Sequence, residues 1–131
     1  MAGETNLDEL IRSMSAVLVE GVFVFVTLQA DEIPPGLTPR MTFEEAEGTT
    51  LILPKGDAEA HSLPFEFPCR MITLNIHSSL EAVGFMARIA TELAKHDMGV
   101  NPVSGFYHDH LFVPDGREED AMAVLKDMAA A

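Results

Sequence analysis

The sequence predicts an α+β fold of two small ferredoxin-like units that share strands, with an antiparallel sheet and helices on one face. Three observations predict it. From Cys69 onward, hydropathy patterns and capping signals run strand, helix, strand, strand, helix, a βαββαβ unit short of its last strand. The final predicted helix runs to Ala131, the last of 131 residues, so the missing strand has to come from the first half or leave an apolar sheet edge open. The apolar run over residues 17–28, with Phe23, Val24, Phe25 and Val26 at its centre, reads as a strand covered on both sides and is the expected donor.

The elements follow in order. Asn6 caps a short helix reaching about Met14, with Glu9 at the capping-box position and Leu7, Leu10 and Ile11 on one face. The strand over 17–28 comes next, then a loop over 29–40 carrying Pro34, Pro35, Gly36 and Pro39. Residues 41–45 fit either a short edge strand or, through Thr42 and Glu45, a helix start; a stronger strand is expected over 49–53, after which Pro54 suits the first turn of a short helix to about His61. Pro64 and Pro68 mark the best internal boundary, dividing the chain into residues 1–68 and 69–131. In the second half, 69–76 alternates as a strand, and Ser78 with Glu81 forms a capping box for a helix to about His96. Ala82, Phe85, Ile89 and Leu93 make its core stripe, and Gly99 is expected at the left-handed stop. A hairpin over 100–113 turns near His108 and Asp109. Asp115 with Glu118 starts the last helix, whose apolar stripe is Ala121, Val124, Leu125 and Met128.

Composition narrows the function. Asp and Glu number 21 against 8 Lys and Arg, a formal net charge of −13. That field repels phosphate backbones and anionic lipid surfaces, which argues against nucleic-acid and membrane partners. No apolar segment approaches the length of a membrane span, the N-terminus lacks signal-peptide features, and a single cysteine, Cys69, fits a reducing compartment. The expected location is therefore cytoplasmic.

The segments that carry a resemblance are Asn75, Ile76, His77, Ser78, Ser79 and Leu80 entering the predicted helix, residues 103–107 (VSGFY) and residues 109–114 (DHLFVP). In the first half they are joined by Glu47, Gly48, Thr49 and Thr50, running into Leu51, Ile52 and Leu53. Together these resemble the ACT domains of aspartate kinases and of stand-alone tandem amino-acid sensors. The resemblance implies units that pair side by side, a homodimer or other homo-oligomer, and an amino-acid-like effector held between units. A helix starting at Ser78 presents free backbone N–H groups and a positive dipole end, suited to a carboxylate. The ligand-binding candidates are thus Asn75, Ile76, His77, Ser78, Ser79 and Leu80. A facing wall is expected from Gly99, Val100 and Asn101 and from Glu47, Gly48, Thr49 and Thr50, where the Glu47 carboxylate or backbone carbonyls would take the ammonium. The bland readings of the same residues are a helix cap at Ser78 and Ser79 and a turn into a strand at 47–50.

Other chemistry is thinly represented. His108 and His110, with His77 or Asp109, form a weak candidate metal site, since two histidines flanking one residue can reach one ion. Cys69 has no base or carboxylate placed around it by the sequence and reads as a buried structural cysteine. The glycine-rich loop patterns of nucleotide binding and the HExxH zinc motif are missing, and Ser104–Gly105 lacks the G-x-S-x-G frame. No cofactor and no catalytic residue are expected. The function predicted is a non-catalytic regulatory module for a small, amino-acid-like ligand. The alternatives are an interaction or oligomerisation module without ligand and, more remotely, a histidine-based metal protein.

Overall fold

A computed structural model describes residues 6–76 and 82–131. By contact, the chain divides into two compact units, Met1–Glu20 with Arg70–Ala131, and Gly21–Cys69. The second is thus inserted into the first in sequence. The strand β5 (Glu66–Leu74) carries the chain from one to the other.

The split unit begins with α1 (Leu7–Ser13). Asn6 Oδ1 accepts from the Glu9 N–H at 3.0 Å, the expected cap. The Glu9 carboxylate is taken instead by Arg12 at 2.9 Å and Ser13 at 3.2 Å. The following strand, β1 (Ala16–Leu18), pairs antiparallel with β5 in the register Ala16 with Leu74 and Leu18 with Ile72. The order in this unit is β1-β5-β7-β6, where β6 is Asn101–Ser104 and β7 is Asp109–Pro114. This is the ferredoxin-like order, with β1 standing where the missing last strand belongs. The first half therefore does donate a strand, but a short one. The expected single strand over 17–28 breaks after Leu18, and Gly21 (φ 104°) supplies a left-handed turn that β-branched or aromatic neighbours could not.

The helices α3 (Phe85–Ala94) and α4 (Glu118–Ala130) complete the unit. Both pack, with α1, on the sheet face carrying Ile72, Leu74, Leu111 and Val113. Leu10, Ile89 and Leu93 are fully buried there. On the other face lie the residues of opposite parity, Thr73, His110 and Phe112. Two helix boundaries differ from expectation. The helix α3 begins at Phe85 behind Gly84 (φ 88°), not at the Ser78 and Glu81 capping box, which lies in residues 77–81 outside the described residues. Its left-handed stop is Asp97 (φ 57°), not Gly99. Beyond the helix end, the His96 and Met98 N–H groups converge on the Leu93 carbonyl at 3.0 and 3.4 Å, and this fixes the reversal at Asp97. Likewise α4 is entered through Arg117 rather than Asp115, and the Glu118 carboxylate accepts from the Gly116 N–H at 2.7 Å.

The inserted unit has the strand order β3-β4-β2-β5, with β2 Phe23–Leu28, β3 Met41–Glu44 and β4 Thr49–Pro54. This is again the ferredoxin-like order, with antiparallel β2·β4, β3·β4 and β2·β5 pairings. The first helix of that motif is replaced by the proline-rich loop and a single 3-10 turn, Ala30–Glu32. The second is the short α2 (Lys55–Ala60), whose buried Ala58 packs with Val24, Val26, Leu51 and Leu53. Cys69 is fully buried, and its thiol donates to the Phe23 carbonyl at 3.3 Å, the structural role expected for it.

Candidate functional site

The exit of β5 is built by local backbone bonds. The Asn75 N–H donates to the Ser15 carbonyl at 2.6 Å, tying the strand end to the loop before β1. The Ile76 N–H donates to the Leu74 carbonyl at 2.8 Å, a tight turn that ends the strand. Ile76 packs against the core while Asn75 stays exposed. His77, Ser78, Ser79 and Leu80 lie outside the described residues.

The chain then enters α3, whose first turn stands apart from those of the other helices. Asp8 and Glu9 occupy the first turn of α1, Asp57 that of α2, and Glu118, Glu119 and Asp120 that of α4. In α3 the first turn has no acidic residue, and Gly84 makes no side-chain capping bond. The free N–H groups and positive dipole end therefore meet no carboxylate from their own helix.

Gly99, Val100 and Asn101 lie at the other end of that helix, which is about 15 Å long for ten residues. Val100 packs on the core, Gly99 is exposed, and Asn101 is exposed opposite Phe112 at the start of β6. Within the split unit they are not brought next to the entrance of α3.

Glu47, Gly48, Thr49 and Thr50 form the β3–β4 turn of the inserted unit. Glu45 and Gly48 exchange backbone bonds of 3.0 and 3.3 Å, and the Glu47 carbonyl accepts from Gln29 Nε2 at 2.9 Å. A Cβ on Gly48 would stand 3.0 Å from Thr27 Oγ1, so glycine is required for close approach. Thr49 is buried, and the Thr50 hydroxyl donates to the Glu45 carboxylate.

At the β6–β7 turn, His110 Nδ1 lies 3.0 Å from Thr73 Oγ1, and the His108 and His110 ring centroids are 6.4 Å apart. Ser104 Oγ donates to the buried Asp109 carboxylate at 2.5 Å. Phe106 and Tyr107 project from the tip, each more than half exposed and packed edge to face at 5.0 Å. Among the described residues no group of three or more His, Cys, Asp or Glu side chains is placed to hold a metal ion. Also among them, no helix is long and apolar enough to cross a membrane.

One ion pair anchors α4 to the sheet. Arg70 Nη1 meets Glu118 Oε2 at 3.1 Å, both side chains being largely buried. The Glu118 carboxyl is held below the usual carboxylate range by its own backbone N–H first, then by the Gly116 N–H and the Arg70 charge, against the opposing effect of burial.

Sequence reasoning missed the grooves. One of 350 Å³ lies between α1, α3 and α4, with Arg88, Glu92, His96 and Asp127 at its rim. Another, of 500 Å³, lies in the inserted unit where β2 and the chain leading into β5 part, between Thr27 and Phe65. The signal for the second is Pro64, which cannot donate to a strand ladder.

Comparison with known proteins agrees with this architecture. Two profiles of the ACT domain match the chain, one over residues 2–70 and the other over residues 66–127. A Vibrio cholerae protein of unknown function, described as a possible transport protein, is 39% identical. The match covers 94% of this chain and 95% of that one, with a TM-score of 0.84. An Agrobacterium tumefaciens protein is 16% identical over 88% of this chain and 89% of its own, with a TM-score of 0.70. The regulatory subunit of aspartate kinase from Thermus flavus shares the fold at 8% identity, with a TM-score of 0.59 over 98% of this chain and 99% of that one. No curated protein sequence matches the chain.

Proposed function

The chain belongs to the ACT-domain family, and from that premise we propose that it is a non-catalytic sensor whose effector is an amino acid or a close analogue. ACT domains are regulatory ligand-binding modules, and both halves of this chain match the family. The observation that carries the finer reading is the entrance of α3. It is a ten-residue helix whose first turn has neither an acidic residue nor a side-chain cap, and it follows the exposed Asn75 at the end of β5. Such an end suits the α-carboxylate of an amino acid.

In this reading Asn75, Ile76, His77, Ser78, Ser79 and Leu80 form the floor of the site. The ammonium goes to backbone carbonyls or, from a second copy, to a carboxylate of the Glu47 turn. The remaining wall, Gly99, Val100 and Asn101, is separated from α3's entrance by the helix length and is supplied by a second copy in a homodimer or higher homo-oligomer. Binding biases the geometry of that assembly or of a partner, by no more than the difference in effector affinity between states. The protein acts in the cytoplasm, and its two ACT-type repeats follow one another in sequence as residues 1–68 and 69–131, with β1 of the first completing the sheet of the second.

Thermal unfolding with each of the twenty amino acids in turn tests the proposal. A ligand at a hundredfold excess over its dissociation constant adds about 2.7 kcal/mol to stability. The expected result is one or two selective stabilisers whose effect is lost on Ser78→Ala/Ser79→Ala exchange. A flat panel on ligand-free protein would instead favour a module that pairs with other chains and senses nothing.

A further inference from the structure

The groove in the inserted unit is bounded by a break in the sheet that the residues explain. The Val22 carbonyl accepts from the Lys55 N–H at 2.9 Å, which sets the parity of the β2–β4 ladder. In an antiparallel ladder the hydrogen-bonded positions alternate. Val24, Val26 and Leu28 therefore turn their backbone groups toward β4, and Phe23, Phe25 and Thr27 turn theirs toward β5. The β5 partners are Cys69 for Phe23 and Glu66 for Phe25, with one extra residue between them in a bulge where Phe67 takes a φ of 53°. Continuing that register by one more pair would place Pro64 opposite Thr27. Proline has no N–H, and β5 begins only at Glu66. The Thr27 carbonyl is thereby left as an acceptor on an open strand edge.

The space beside it holds 500 Å³ and combines two kinds of lining. Phe25, Pro64 and Phe65 are apolar. Thr27, Thr50 and Glu66 are polar, and no Lys, Arg or His side chain lines it. The Thr50 hydroxyl is already committed to the Glu45 carboxylate, which adds a second negative group at that rim. A groove whose only charged lining group is a carboxylate, beside an undonated carbonyl and aromatic walls, in a chain of net charge −13, is complementary to a cation with an apolar body.

We propose that this groove binds a primary ammonium compound with an aromatic or branched apolar body and no carboxylate of its own. The ammonium donates to the Glu66 carboxylate and the Thr27 carbonyl, and the apolar body lies against Phe25, Pro64 and Phe65. A free amino acid is disfavoured here, because its carboxylate would find Glu66 and no cation. The site shares only Thr50 with the residues proposed for the amino-acid effector, so the two occupancies report separately.

The test uses the full chain, isotopically labelled, titrated with 2-phenylethylamine, phenylalanine and 2-phenylethanol, each followed in amide NMR spectra. The expected result is saturable shifts at Phe25, Thr27, Thr50 and Phe65 with the amine, at least about tenfold weaker binding of the alcohol and the amino acid, and a comparable loss for the amine in Glu66→Gln. Glu66 is exposed, so its exchange leaves the fold intact, and a Glu44→Gln variant on the exposed β3 edge controls for net charge. Equal binding of amine and alcohol, equal binding of amine and phenylalanine, undiminished binding in Glu66→Gln, or amine-induced shifts confined to other residues would each overturn the proposal.

Discussion

Leu10→Ala measures how firmly the first helix belongs to the core formed by the distant second half. Leu10 is fully buried among Ile72, Leu74, Phe85, Ile89, Leu93 and Leu125, residues at least sixty positions away in sequence. Truncating a leucine at such a site removes its transfer free energy and leaves a cavity, a loss of about 3 kcal/mol within a usual range of 2 to 5. For a chain of 131 residues the unfolding entropy near the midpoint is about 0.3 kcal/mol per degree. The melting temperature should therefore fall by about 10 °C. Circular dichroism on heating, with urea unfolding as a second denaturant, reads both quantities. Arg12→Ala on the exposed side of the same helix removes only a surface ion pair with Glu9 at 2.9 Å and should leave the midpoint unmoved. A Leu10→Ala midpoint shift no larger than that of Arg12→Ala would refute the placement of α1 in this core.

Three further outcomes follow from named contacts. Gly48→Ala places a Cβ 3.0 Å from Thr27 Oγ1 and 3.3 Å from the Leu28 carbonyl, and should cost about 1 to 3 kcal/mol in urea unfolding. Asp97→Gly relieves a left-handed residue (φ 57°) at the end of α3 and should add about 0.5 to 1 kcal/mol, seen as a raised melting temperature. Glu118→Gln removes the charge paired with Arg70 at 3.1 Å and should cost about 1 to 2 kcal/mol at neutral pH. Because Glu118 is held below the ordinary carboxylate range when folded, its contribution is complete above that range and is lost as pH falls through the folded value. Stability curves of wild type and Glu118→Gln should thus converge on acidification, and a gap that persists into strong acid would contradict the assignment.

What the sequence made legible was local. Phe23, Val24, Phe25 and Val26 declare a strand by their side chains, and Asn6 declares a helix start by its reach to the Glu9 N–H. Hydropathy alone made 17–28 look continuous, because Gly21 looks innocuous until its φ of 104° is known. The start of α3 at Phe85 was hidden for a related reason. Ser78 and Glu81 satisfy a capping pattern whether or not the backbone uses it, and Gly84 takes the position before the first helical residue. Gly99 was the obvious left-handed residue, yet the reversal falls at Asp97, between His96 and Met98, whose N–H groups both close on the Leu93 carbonyl. The packing of α1 against α4 is long-range, and nothing in the first twenty residues encodes it beyond the apolar face of Leu10 and Ile11.

The candidate sites divide along the same line. Residues 47–50 were readable as a turn, and the structure gives them turn bonds. The groove beside Thr27 was not readable, since it depends on a register shift at Phe67 and on which proline faces which carbonyl. Family resemblance carried more of the fold than composition could, because strand order is a non-local property.

The measurement that bears most directly on the sensor reading is an amide NMR titration of the intact chain with whichever amino acid stabilises it. Saturable shifts are expected at Asn75, Ile76 and the 77–80 segment, extending into the first turn of α3 at Phe85 and Met86, with the rest of the helix layer unmoved. Saturable shifts that bypass the entrance of α3, or spectra unchanged by every amino acid, would contradict it.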